Sequence, residues 1–183
     1  MRTLAMMAIG AVVLSGPSGG VAHGRGGQQA QQTQQTQQTS PGRGAAQPAP
    51  AAPKDKAAYF ANADLQSTWK DLEARQVINR RVLDGGAHSI NVRIVKESDA
   101  PLIHGQSADV WVVTAGTATA VTGGQLVDPQ KRANVDDAAG SSIRGGVEQP
   151  LQAGDVLYVP AGVPHGFRNV KGFRAFLIRF DTK

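Results

Sequence analysis

The residues of this chain best suited to chemistry lie between Gly154 and Asn169, GDVLYVPAGVPHGFRN. The pattern is Gly, five residues, Pro-x-Gly, two residues, His, three residues, Asn. Gly154 and Asp155 suit a turn, because Gly takes positive φ without a Cβ clash. Val156 to Val159 is a β-branched and aromatic run and reads as a strand. Pro160, Gly162 and Pro164 forbid regular ladder pairing, so the chain must bend sharply there. His165 emerges from the bend, and Phe167 and Asn169 follow it at a period of two, on the same side of the next strand. A rigid strand–turn–strand that aims one imidazole at an interior can serve a metal or a substrate.

At these residues the chain resembles the second motif of the cupin superfamily, with every motif position matched. The segment LIHGQSADVWVVTAG, Leu102 to Gly116, resembles the first motif, which is His-x-His, three or four residues, Glu, six residues, Gly. His104 stands at the second His, Asp109 at the Glu, and Gly116 closes the motif. Three positions depart from the pattern. Leu102 occupies the first His position, Asp replaces Glu, and Lys96 stands where the family has its opening Gly.

The resemblance implies a metal set of His104, Asp109 and His165, two imidazoles and one carboxylate. Such a set holds divalent iron, manganese or zinc and leaves coordination positions open. His88, from a neighbouring strand, is a further candidate for the missing imidazole. Asp109, Trp111 and Val113 share a strand face, so an inward Asp109 places Trp111 beside it. Trp111, Tyr158 and Phe167 are the candidate ligand contacts. The competing reading is that Leu102 makes the interior apolar and metal-free, leaving the two His and the Asp as a hydrogen-bonded cluster at the pocket mouth.

These residues need a frame, and the rest of the chain supplies it. Met1 to Ala22 has Arg2, an apolar run over Leu4–Leu14 and the small-residue stretch SGPSGGVA, the layout of a cleaved signal peptide. Residues 23–56 contain three QQT repeats and an Ala/Pro tail that cannot bury a core, and read as a disordered linker. The cupin domain is expected over 57–183. With no cysteine, disulfides, thiolate zinc sites and cysteine nucleophiles are excluded. The net charge of +5 belongs mostly to the first 56 residues, which carry five Lys/Arg and one acid. The remainder carries fourteen Lys/Arg and thirteen acids. No basic stripe interleaved with aromatics is present, so nucleic acid is not an expected partner.

Asn62 or Asp64 is expected to cap a short helix to about Ala74, with Leu65, Trp69 and Leu72 at helical spacing and Trp69 sealing it against the sheet. Asp84-Gly85-Gly86 lies between two strand-like runs and signals a hairpin. In its second strand Ser89, Asn91 and Arg93 share one face, and His88, Ile90, Val92 and Ile94 the other. Thr117 to Val127 reads as a strand with a Gly123-Gly124 turn. Residues 128–146 are polar, Gly-rich and loop-like, and can bring Lys131, Arg132 or Arg144 to the barrel mouth to meet an acidic ligand. Phe173 to Phe180 reads as a closing strand, whose large side chains belong to the core or a dimer interface.

The expected architecture is all-β, a single cupin double-stranded β-helix, or jelly-roll barrel, with a short N-terminal helix. The expected function is a secreted or periplasmic barrel that binds a small molecule, with a divalent metal as its candidate cofactor. No membrane span is expected in the mature chain, and a homodimer is consistent with the closing strand. The fold hosts enzymes and non-catalytic binders alike. A metal-dependent dioxygenase of the iron type, and a metal-free isomerase or epimerase with His165 as base and Tyr158 as partner, are the alternatives.

Overall fold

The computed structural model describes residues 48–132 and 136–182. The expected signal peptide and most of the expected linker lie outside the described residues. Among those described, one helix, α1 (Asn62–Ala74), precedes eleven strands. They are β1 (Asn79–Asp84), β2 (His88–Ile94), β3 (Leu102–Ile103), β4 (Ser107–Thr122), β5 (Gln125–Val127), β6 (Gln130–Lys131), β7 (Ala138–Ala139), β8 (Ser142–Arg144), β9 (Val147–Gln152), β10 (Val156–Val159) and β11 (His165–Asp181).

The two long strands, β4 and β11, pair antiparallel along most of their length and both bend in the middle. Their corners face each other. Gly116 of β4 has φ +73°, and a Cβ there would lie 2.3 Å from the carbonyl oxygens of Lys171 and Gly172. Only glycine lets two backbones approach this closely. In β11 the register shifts three times between Arg168 and Ala175, so the strand turns its corner through bulges. On one side of the corners the strand order is β1-β2-β11-β4-β10; on the other, β3 and β9 join β11 and β4, with β7 and β6 beyond β3. The two halves face each other as a double-stranded β-helix, the all-β jelly roll expected.

Between the halves lies a dry core that includes Trp111, Val113, Ala120, Leu151, Phe173 and Leu177. A second core lies outside the barrel wall, where Trp69 and Leu72 of α1 cover Val92 and Ile94 of β2 and Phe176 of β11. The Trp69 and Phe176 rings stand 5.2 Å apart, so Trp69 seals the helix to the sheet as its spacing predicts. The helix starts at Ala61 without a side-chain cap, not at a capping Asn62 or Asp64. Burial of the Trp69/Leu72 stripe, rather than a cap, holds this short helix.

The β1–β2 hairpin forms where Asp84-Gly85-Gly86 calls for it. Gly86 takes φ +76°, and its N–H donates to the Asp84 carboxylate at 3.0 Å. The described residues of 128–146 are more ordered than their composition implies. β7 bridges β3 and β6, and β8 pairs with β5. Polar, Gly-rich chain still pairs where a sheet rim offers unpaired N–H and C=O groups. Upstream, Ala51 bridges Asp84, with Asp84 N–H donating to Pro50 at 2.8 Å and Ala52 N–H donating to Asp84 at 2.6 Å. The ordered chain thus reaches back past Ala57.

A candidate metal-binding and ligand-binding site

Three elements bring His104, Asp109 and His165 together. Asp109 comes from the first part of β4, where its ladder partners are Arg179 of β11 and Val159 of β10. Its side chain is 1% exposed. His165 is the first residue of β11, next to Leu102 of β3 on one side and Thr122 of β4 on the other. His104 follows β3 immediately. The bend before His165 is tied down at two points. Gly162, at φ +77°, donates its N–H to the His104 carbonyl at 2.8 Å, and Gly123 N–H donates to the Pro164 carbonyl at 2.8 Å. Gly166 lies against Pro101, where a Cβ would approach to 2.8 Å. The bend that presents one imidazole is therefore hydrogen-bonded to the backbone of the other.

The orientation of both rings follows from what their Nδ1 atoms touch. His165 Nδ1 lies 3.1 Å from the Val163 carbonyl, which can only accept, so Nδ1 carries the hydrogen. His104 Nδ1 donates to the Asp137 carboxylate at 2.6 Å, and the other Asp137 oxygen accepts the Gly105 N–H at 3.2 Å. Both Nε2 atoms then point at one oxygen, Asp109 Oδ2, at 3.6 Å from His104 and 3.5 Å from His165.

Arg179 completes the cluster. Its Nε donates to Asp109 Oδ1 at 2.7 Å, and its Nη2 donates to Oδ2 at 2.9 Å and to His104 Nε2. A guanidinium has no lone pair to offer, so His104 Nε2 accepts and the ring is neutral. The electrostatics agree. Burial, and then the Arg179 charge, lower the His104 pKa against the pull of Asp109 and Asp137. Burial raises the Asp109 pKa, but the adjacent His165 side chain, the Arg179 hydrogen bonds and the Arg179 charge overcome it and hold the carboxyl at about 2.

The donor set fits a divalent metal. At metal–ligand distances of about 2.0–2.2 Å, ligand atoms of a tetrahedral site stand roughly 3.4 Å apart. The two Nε2-to-Oδ2 distances match this, and one ligand atom from each of the three residues lies within 4.8 Å of the others. The Asp137 carboxylate behind His104 is the outer-shell partner typical of a metal-ligating histidine. Leu102 supplies no ligand, and the Arg179 guanidinium bonds the same Oδ2 and Nε2 atoms that a metal would use.

The cluster opens on a cavity of about 420 Å³. Trp111, Phe167, Leu102 and Leu177 form its apolar part, and Ser89, Asn91, Arg93 and Arg132 its polar part. Trp111 and Phe167 meet edge-on with centroids 4.8 Å apart. Of the three expected ligand contacts, Trp111 and Phe167 line the cavity and Tyr158 does not. Tyr158 is 60% exposed, on the outward face of β10, because the inward position of that pair is Val159. No tyrosine lines the cavity among the described residues, which removes the acid–base partner from the epimerase reading.

His88 lies away from the cluster. It is exposed at the start of β2, on the face opposite Ser89, Asn91 and Arg93, and its ring lies beside Gly85. Of the three loop cations, Arg132 lines the cavity, whereas Lys131 and Arg144 do not. Asn169 leaves the His165–Phe167 face at a bulge, with φ +55° and its N–H bound to Glu97 at 3.0 Å. The sequence reading missed Arg179 and Asp137. Counting by twos from Phe173 through Ala175 and Leu177 puts Arg179 inside. No local signal marks Asp137.

A family model described as Cupin domain matches residues 139–178. No curated protein matches the chain. Among solved structures, the chain is similar to an uncharacterized conserved protein with a double-stranded beta-helix domain from Klebsiella pneumoniae. The two are 20% identical, the match covers 58% of this chain and 79% of that one, and the TM-score is 0.40. It is similar to DMSP lyase DddQ from Ruegeria pomeroyi, with 14% identity, 56% and 45% coverage and a TM-score of 0.38. A third is hydroquinone 1,2-dioxygenase from a Sphingomonas species, with 15% identity, 56% and 64% coverage and a TM-score of 0.41.

Proposed function

We propose that this chain, a member of the cupin superfamily, binds a small organic molecule in its barrel beside a divalent metal held by His104, Asp109 and His165. The observation that carries the reading is the convergence of two imidazole Nε2 atoms on one buried carboxylate oxygen, with both Nδ1 atoms committed elsewhere. A divalent ion with open positions would supply Lewis acidity toward an oxygen of the ligand. The protein's own part is to fix the rings through Asp137 and the Val163 carbonyl, and to present Trp111 and Phe167 to the ligand's body. The leader-like first 22 residues support a place for this activity outside the cytoplasm.

One observation favours a second reading, a binding barrel without metal. Arg179 already neutralises Asp109 and satisfies His104 Nε2, so the cluster is complete without an ion. Elemental analysis of the untagged full-length chain, followed by a zinc titration, separates the two. His165→Ala is expected to weaken zinc binding by about tenfold or more. Its β signature in far-UV circular dichroism should persist, since Pro160, Gly162 and Pro164 set the bend. A wild-type chain that takes up no zinc, iron or manganese sinks the metal reading and leaves the metal-free barrel.

A further inference from the structure

Four guanidiniums line the cavity, those of Arg81, Arg93, Arg132 and Arg179, against the carboxylates of Asp99 and Asp109. Three of the four have partners. Arg179 is paired with Asp109, Arg93 with Asp99 at 2.8 Å, and Arg81 with Asp84 at 2.8 Å. Arg132 makes no ion pair among the described residues; its position is set by its backbone N–H, which donates to the Asp137 carbonyl at 2.9 Å. The link runs from the metal cluster's supporting residue straight to this cation.

Arg132 belongs to the same polar wall as Arg93 and Arg179. Burial lowers the Arg93 pKa, Asp99 opposes this, and the charges of Arg179 and Arg132 lower it further. With Arg93 and Arg179 each matched by a carboxylate, Arg132, exposed at the cavity rim, adds the uncompensated positive charge of this wall. Trp111 and Leu177, one rung from Arg179, and Phe167 and Leu102 supply the apolar lining of the same cavity. The volume suits one small organic molecule.

We infer that the cavity selects an organic monocarboxylate, with its carboxylate on Arg132 and its apolar body against Trp111 and Phe167. One unpaired guanidinium calls for one negative charge, and the planar fork of arginine matches a carboxylate bidentately. An apolar acid also desolvates cheaply on the aromatic side of the cavity, whereas a doubly charged phosphate ester would bring a second charge that has no free partner. The inference rests on reading the cavity as the ligand site, and does not require the metal.

The test is calorimetry on the full-length chain with chelator present, using benzoate and 4-methylpentanoate, each beside its uncharged amide. At least one acid is expected to bind about tenfold or more tightly than its amide, the scale of a charge-assisted hydrogen bond. Arg132→Ala should remove that preference. Lys131→Ala, which deletes the same charge one residue away and outside the cavity, should keep it. The inference is overturned if neither acid outbinds its amide, or if both variants lose the preference equally. Zinc titration of the same proteins, freed of chelator, keeps the two readings apart. A carboxylate preference without zinc uptake sinks only the metal reading, and zinc uptake without the preference sinks only this one.

Discussion

Along β4 and β11 the inside of the barrel has an apolar end and a charged end, while β2 carries polar side chains past both. Three successive rungs cross β2, β11 and β4 with inward side chains. Arg93–Ala175–Val113 and Asn91–Leu177–Trp111 are followed by Ser89–Arg179–Asp109. The pleat places all three alike, since residues two apart point to one face. What differs is how each end is stabilised. On β11 and β4 the first two rungs meet mainly apolar neighbours, with the Trp111 indole N–H left unpaired, and Phe173, Ala175 and Val113 are almost wholly buried. The last rung buries a carboxylate, which must be matched atom by atom. Arg179 does that within the rung, and His104 and His165 are in turn fixed from outside it by Asp137 and the Val163 carbonyl. An apolar end is satisfied by volume, whereas a charged end recruits partners from distant parts of the chain.

The contrast can be broken at either end. Phe173→Ala empties the apolar end and should cost about 3–5 kcal/mol in a denaturant melt. That cost should be the same at neutral and acid pH, because no charge is involved. Asp109→Asn leaves Arg179 without its partner and should cost about 3 kcal/mol at neutral pH, the lower edge for a broken buried pair because the Arg179 side chain is 30% exposed. Loss of zinc uptake should accompany it. If the two penalties responded to pH alike, the ends would not differ in kind.

Acid titration sharpens the same point. Asp109 has its pKa depressed from 3.8 to about 2, so the folded form binds its proton later than the unfolded chain. Its contribution is present above 3.8 and disappears as pH falls through about 2, a loss of about 2 kcal/mol. His104, also depressed, adds a loss that begins below its ordinary value of 6.5. The gap between wild type and Asp109→Asn should therefore narrow with acid, while the gap for Phe173→Ala stays constant. A gap for Asp109→Asn that does not narrow would mean that the buried charge is not what stabilises this end.

The smallest change is aimed at the outside support. A Cβ on Gly105 would stand 2.3 Å from the Asp136 carbonyl oxygen, and the Asp136–Asp137 backbone would have to move. Gly105→Ala should cost about 1–2 kcal/mol and weaken zinc binding about tenfold by loosening the hold on His104. Unchanged zinc affinity, read by titration beside a thermal melt, would remove Asp137 from the site's support.

The parts of the site that could be read from residues alone are those set by local rules. The Pro160–Pro164 bend, the inward Asp109 and Trp111 and the covered Trp69 stripe all follow from backbone restriction or period. Arg179 obeys the same period. The mixture of apolar and basic residues in Phe173–Phe180 concealed it, because Arg174 and Arg179 have opposite parity and face opposite ways. Tyr158 and His88 were misplaced for want of one reference residue per strand, respectively Val159 and Asn91. Asp137 was out of reach for another reason. It acts 33 residues away from His104, through a segment whose order comes from pairing at the rim.

The short bridge between Ala51 and Asp84 covers part of an open sheet edge. β1 is the outermost strand of its half of the barrel, and an outermost strand offers its free N–H and C=O groups to any other chain. At Asp84 those groups are already engaged by Pro50 and Ala52. The covering segment is a poor template in its turn, since Pro50 and Pro53 have no N–H to give. A chain shortened to begin at Ala57 would keep the whole barrel and the site yet lose this guard, and would be the form most prone to edge-to-edge aggregation on storage.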